Sequence, residues 1–335
     1  MLFNKVPKND YVETEHGPVF NFFSTFGTYF LPLMTVNVVF LILNLPMLAI
    51  AFMVTIYFLP QLSSFFIPET FVKTMESFGI VGNEVNNAVG AGAVYQLYYL
   101  IVLIASMFLV GTTLFSVGPF QAGFSQIYRN IYRREGVFFV ADFKEGMKKN
   151  AKQSAIAMLI SVVTTSLILF AIAFYGRMQS GVGTAITAMF AFLFFSFIII
   201  QNMVYQMIVS IDLPLKKIYV NAILFFLIKF IPCVELLIVE LLVLFLIPTL
   251  LLLSTSFFGY AMSVIFYLVF AFVFSQYLMS YFTGHLINSY IVSKLPKEEE
   301  EDEELECESL DDEENDEDDS DEEDSPVDGE DNAEN

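Results

Sequence analysis

The sequence predicts an all-α fold: a polytopic transmembrane helix bundle of about six crossings, with amphipathic cytoplasmic helices and a disordered acidic C-terminal tail. Two features predict it. Of 335 residues, 56% are hydrophobic and 16% charged, and the apolar residues gather into runs of about 20, enough to cross roughly 30 Å of hydrocarbon at about 1.5 Å per residue. The charges, in turn, are segregated. Residues 298–335 hold 25 of the 37 acidic residues and none of the 16 basic ones. The net charge of −21 therefore belongs to the tail, and the rest of the chain is weakly basic.

In chain order, residues 1–27 form a polar cytoplasmic segment without the apolar stretch and small-residue cleavage site of a secretory signal. A transmembrane domain is expected over 28–292, with crossings at 33–59, 93–117, 155–175, 182–209, 233–253 and 257–282. The stretch 220–253 is too long for one crossing and too short for two. Pro232 removes a backbone donor and disfavours helix just before it, so a short half-buried helix is expected over 221–230, with Lys229 snorkelling to the headgroups. The extracytoplasmic loop 61–92 carries Phe71, Met75 and Phe78 at helical spacing, followed by the turn formers of GNEVNNAVGAG. Only two cysteines occur, Cys233 and Cys307, which makes a disulfide framework improbable.

Orientation follows from lysine and arginine. Arg129, Arg133, Arg134, Lys144, Lys148, Lys149 and Lys152 lie between crossings two and three, and Lys216 and Lys217 follow crossing four. The other side has Lys73 and Arg177. Positively charged loops stay in the cytoplasm, so both termini are expected there.

The cytoplasmic loop 118–153 is patterned. Phe120, Phe124, Ile127 and Ile131 recur at helical spacing opposite Arg129 and Arg133, which predicts a helix lying at the membrane surface and ended by Gly136. A second helix is expected to start near Asp142, as its cap, with Glu145 reaching back in a capping box. Arg129, Arg133, Arg134, Lys144, Lys148 and Lys149 are candidates for binding lipid headgroups or an acidic partner.

At this loop the chain resembles the YesL-like integral membrane proteins of Firmicutes and related bacteria. The resemblance is carried by Gly118, Pro119, Ala122, Arg129, Asp142, Phe143, Asn150 and Gln153, and supported by Asn44-Leu45-Pro46 and by Asn221 followed by Pro232. It implies a multi-pass protein of the bacterial plasma membrane, from a family without an established activity whose members are often encoded beside carbohydrate ABC transporters and their regulators. The long loop 61–92 and the acidic tail depart from the shorter members.

Two carboxylates lie in the fifth crossing, Glu235 near the cytoplasmic surface and Glu240 deeper. An intramembrane carboxylate serves either ion handling or a structural hydrogen bond. Asn37, Asn44, Gln201 and Asn202, with Tyr205 and Gln206, either line a solute path or bridge helices. His16 and His285 stand alone, and no nucleophile elbow, P-loop or HExxH is present. No enzymatic activity, metal, cofactor or nucleic-acid partner is expected. The tail, residues 293–335 with EEEEDEELE and DDEENDEDD, cannot bury enough apolar surface to fold, and can bind basic surfaces in a salt-sensitive way. The expected role is a non-enzymatic accessory or scaffold protein linked to carbohydrate ABC transport or its regulation, with the bilayer and a transporter or sensor component as partners. The alternative is a solute or ion transporter or channel using the polar residues of crossings one, four and five.

Overall fold

A computed structural model describes residues 17–78, 88–178, 180–254 and 256–291. The N-terminal segment with Lys5, Lys8 and His16, residues 82–87 of GNEVNNAVGAG, and the acidic tail with Cys307 lie outside them. Among the described residues the regular structure is entirely helical. Six helical runs among the described residues are long and apolar enough to cross a membrane: Leu45–Leu62, Val94–Gly111, Phe139–Gly176, Gly181–Ser210, Phe230–Leu253 and Phe257–Tyr290.

The first run is α3 (Leu45–Leu62), preceded by α1 (Pro18–Thr28) and α2 (Phe30–Leu43). Helices α1 and α2 meet at 77° and become a seventh candidate span if counted as one. After α3 come the short surface helix α4 (Pro68–Ser77) and α5 (Ala88–Gly111). Phe71 and Met75 of α4 are buried, while Phe78 beyond it is exposed. A non-helical segment leads to α6 (Gly118–Tyr132), then α7 (Phe139–Gly176) and α8 (Gly181–Ser210). Helix α9 (Leu215–Ile228) precedes α10 (Phe230–Leu241), which passes through a π-helical turn, Leu242–Leu246, into α11 (Ile247–Leu253). The last run is α12 (Phe257–Phe266), a second π-helical turn, Tyr267–Ala271, and α13 (Phe272–Tyr290).

Helix α7 shows why these runs suit lipid. Its 38 residues rise about 57 Å, and apart from Leu169 the stripe it buries is small or hydroxylic: Gly146, Ser154, Ala157, Ser161, Thr165 and Ala173. Most of its large side chains on the other faces, among them Ile156, Leu159, Val163, Leu167 and Phe170, are exposed. Small residues inside let helices approach closely, and large apolar ones outside meet acyl chains.

Contacts fix the helix directions. The Tyr281 hydroxyl donates to the Pro18 carbonyl at 3.0 Å, and Gly284 lies against the Tyr132 ring. The start of α1 and the ends of α6 and α13 therefore share one end of the bundle. Arg129 donates to the carbonyl of Val209, near the end of α8, at 3.0 Å, which places the cationic residues at the same basic end. Helices α11 and α12 form an antiparallel hairpin, in which Ser263 donates to the Pro248 carbonyl at 3.3 Å and Tyr267 to that of Leu244 at 2.6 Å.

Several expectations need correction. The crossing expected over 33–59 is broken at Asn44, which separates α2 from α3. Helix α6 does not lie on the membrane surface. Gln121, Ala122, Gly123, Phe124, Ser125, Ile127, Tyr128 and Ile131 are all buried, because Gly118, Gly123 and Gly146 let α6 and α7 pack so closely that an added Cβ would strike the Ser154 carbonyl, the Phe143 ring or the Gln126 side chain respectively. Amphipathicity here marks a polar protein interior rather than a headgroup layer. Helix α6 ends at Tyr132 with Arg134, not Gly136, in the left-handed conformation (φ 56°).

Helix α7 begins at Phe139, before Asp142, and runs unbroken into the third crossing. Asp142 accepts from the Phe138 amide at 2.8 Å, so it sits inside the first turn and reaches back. The division before the fifth crossing falls at Lys229, and Pro232 sits in the first turn of α10. There its missing donor costs nothing.

Candidate functional site

Among the described residues Glu240 is the buried acidic side chain, with a residue exposure of 0%. Its Oε1 accepts hydrogen bonds from Asn202 Nδ2 of α8 at 3.2 Å and Ser275 Oγ of α13 at 3.1 Å. Its Oε2 has no hydrogen-bond partner among the described residues. A carboxylate held in a membrane interior with one oxygen satisfied and the other bare is costly unless something else binds it.

Three interruptions of helix surround this group. Residues 112–117 separate α5 from α6, and Thr113 there adopts φ 59°, a conformation that costs a β-branched residue about 1–3 kcal/mol. The Thr113 hydroxyl donates to Asn202 Oδ1 at 3.3 Å, orienting the amide that serves Glu240. The other two interruptions are the π-helical turns, the first starting two residues after Glu240 and the second ending four residues before Ser275. Such turns leave backbone groups without their usual partners and recur at functional sites.

Neighbouring side chains complete the broken backbone. Asn37 Nδ2 donates to the Tyr267 and Leu268 carbonyls at 2.6 and 2.8 Å, and its Oδ1 accepts from the Val273 amide at 2.8 Å. Asn44 Oδ1 accepts from the Val117 amide at 2.8 Å. Ser161 donates to the Leu114 carbonyl at 2.8 Å. Both asparagines are buried and committed to backbone, which makes them supports of the site's geometry rather than lining of a path.

The other sequence candidates divide similarly. Gln201 bridges helices, donating to the Ala157 carbonyl at 3.3 Å and accepting from the Tyr219 hydroxyl at 2.9 Å. Asn202 joins Glu240. Glu235 is exposed on α10 and takes no part. Of the residues that carry the resemblance, Pro119 opens α6, and Gly118, Ala122 and Phe143 belong to the α6–α7 seam, where the Phe143 ring lies 5.0 Å from that of Phe124. Asn150 Nδ2 donates to the Gly146 carbonyl at 3.0 Å, and Gln153 Nε2 to that of Leu213 at 3.2 Å.

Arg129 is half-buried, and burial together with nearby Arg133 pulls its guanidinium down to about 10, so it stays charged at neutral pH. Arg133 pairs with Glu135 at 3.7 Å on the surface, an interaction of little energetic weight. Lys144, Lys148 and Lys149 are exposed on the first turns of α7.

The sequence reasoning missed Thr113, Gln121, Ser275 and Gln276. Gln121 Nε2 donates to Gln276 Oε1 at 3.2 Å, extending the polar network from α13 to α6. A signal was available: Gln121, Ser125 and Tyr128 follow i, i+4, i+7 spacing, and Ser275-Gln276 interrupts an apolar run.

No family model, curated protein or solved structure matches this chain.

Proposed function

We propose that this multi-pass membrane protein is an ion-handling transporter in which Glu240 takes up and releases a cation within the bundle. The observation that carries this is the Glu240 carboxylate, buried with an unpartnered Oε2 among three interrupted helical runs. Intramembrane carboxylates paired with polar side chains mark ion and proton pathways, and transporters build such sites from broken helices. By the positive-inside rule the basic end faces the cytoplasm, which puts the N-terminal helix and the end of α13 on that side.

The test is flux. Protein reconstituted in liposomes with a pH-sensitive dye inside is challenged with membrane potential and with gradients of sugars, amino acids and organic anions. Flux by the native protein that is lost in Glu240→Gln supports the role. Equal flux in the variant, or none under any gradient, refutes it.

A second role retains one specific observation. Lys144, Lys148 and Lys149 are exposed at the basic end and suit anionic headgroups or an acidic partner. With the YesL-like resemblance, they support an accessory protein of carbohydrate ABC transport in a bacterial plasma membrane. Arg129, bonded to the Val209 carbonyl, no longer belongs to that surface. Charge reversal at the three lysines should then release a co-purifying permease while leaving the fold unchanged.

A further inference from the structure

Beyond Glu240 a polar seam runs toward the basic end. Three helices contribute. On α6, Gln121, Ser125 and Tyr128 share one face and are buried. On α13, Gln276, Ser280 and Thr283 repeat the same i, i+4, i+7 spacing, also buried. On α8, Gln206 lies one turn beyond Asn202 and is 4% exposed. The helices run side by side, since Gln121 bonds Gln276, the rings of Tyr128 and Tyr277 are 6.4 Å apart, and Gly284 lies against Tyr132.

Four polar atoms along the seam have no hydrogen-bond partner among the described residues: Gln121 Oε1, Ser125 Oγ, Gln206 Oε1 and Thr283 Oγ1; the Tyr128 hydroxyl makes a fifth. Buried polar atoms without partners are rare, and each costs about 1–3 kcal/mol unless water satisfies it. Five in one seam suit a file of water, since a buried water needs about three polar partners. On α5, between Val94 and Leu109, the buried residues are apolar except Tyr98 and Ser106, whose hydroxyls are taken up by the Phe66 and Val102 carbonyls.

The chemistry of the site selects the ion. Both neighbours of Glu240 Oε1 are donors, and no acceptor oxygen bonds Oε2. A metal cation needs several oxygen ligands, whereas a proton needs only the bare carboxylate oxygen. Of the titratable groups on α8, α10, the second π-helical turn and α13, Glu235 and His285 are exposed and Tyr281 and Tyr290 partly so, and the buried ones are Tyr205, Cys233, Tyr267 and Tyr277. Tyrosine and cysteine side chains are ordinarily uncharged at neutral pH. Arg129, the cation α6 contributes, is bonded to the Val209 carbonyl.

We propose that Glu240 exchanges protons with the basic side of the membrane through a file of water along the α6–α13 seam. This rests on the ion-handling role proposed above and specifies its ion and its route. The proton that binds Oε2 arrives from the basic side through water hydrogen-bonded along Tyr128, Ser125 and Gln121.

Radiolytic hydroxyl-radical footprinting of the full chain in lipid nanodiscs tests the file without assuming transport, since radicals form only where water is present. Tyr128 is 0% exposed, yet it should be oxidised several-fold faster than Tyr267 and Tyr98, which are 4% and 2% exposed and bonded to carbonyls. The paired change Ser125→Ala and Thr283→Val should slow that oxidation several-fold while the protein remains folded by circular dichroism. Protection of Tyr128 equal to that of Tyr267, or a rate unmoved by the paired change, overturns the file. Loss of flux in Glu240→Gln beside a dry Tyr128 would leave the ion-handling role standing and refute only the route.

Discussion

At the residue scale, Glu240 and its donors make separable demands. Glu240→Gln keeps a carbonyl oxygen for Asn202 and Ser275 and removes the buried charge, so thermal unfolding in detergent should be within about 1 kcal/mol of the native protein or more favourable. Glu240→Ala strands both donors and opens a cavity, and should cost about 2–4 kcal/mol. Equal losses in the two variants would mean that the carboxylate's charge, not its bonding, holds the bundle. Glu240 and Asn202 were legible in the sequence as polar residues inside apolar runs. Their pairing was not, because the bond spans a register between α8 and α10 that hydropathy does not specify. Thr113 was hidden for another reason: a threonine in left-handed backbone has no sequence signature, since glycine or asparagine is the usual occupant.

At the element scale, the interruptions depend on side chains far away in sequence. Asn37 closes the second π-helical turn with three hydrogen bonds, so Asn37→Ala should destabilise the protein by about 2–3 kcal/mol and make the Val273 amide exchange several-fold faster in hydrogen-exchange mass spectrometry. Unchanged protection at Val273 would show that the turn holds without its partner. The joint of α6 and α7 is equally specific. In Gly118→Ala a methyl group would meet the Ser154 carbonyl, and the overpacking should cost about 1–3 kcal/mol. The periodicity of α6 was read correctly from Phe120, Phe124, Ile127 and Ile131, but its setting was not. A polar face beside an apolar one fits a headgroup layer and a wet protein interior alike, and only the glycines at Gly118, Gly123 and Gly146 distinguish the two.

At the scale of the whole molecule, six apolar runs were visible in the sequence, since length and composition alone set that number. The broken path through α1, α2 and α3 was not, because Asn44 disrupts an otherwise continuous apolar stretch by bonding the Val117 amide across the bundle. Orientation rests on charge. In intact cells, a cysteine replacing Lys73 should react with an impermeant maleimide from outside, and one replacing Lys144 only after permeabilisation. The reverse pattern would invert the bundle and turn the proposed proton route outward.

The most direct measurement of the central claim is an infrared titration of the native protein and Glu240→Gln in nanodiscs. The account predicts a protonated-carboxyl band in the native protein that changes with pH, shifts on brief exposure to heavy water, and is missing from the variant. A band insensitive to pH and deuterium, or one identical in both proteins, would contradict it.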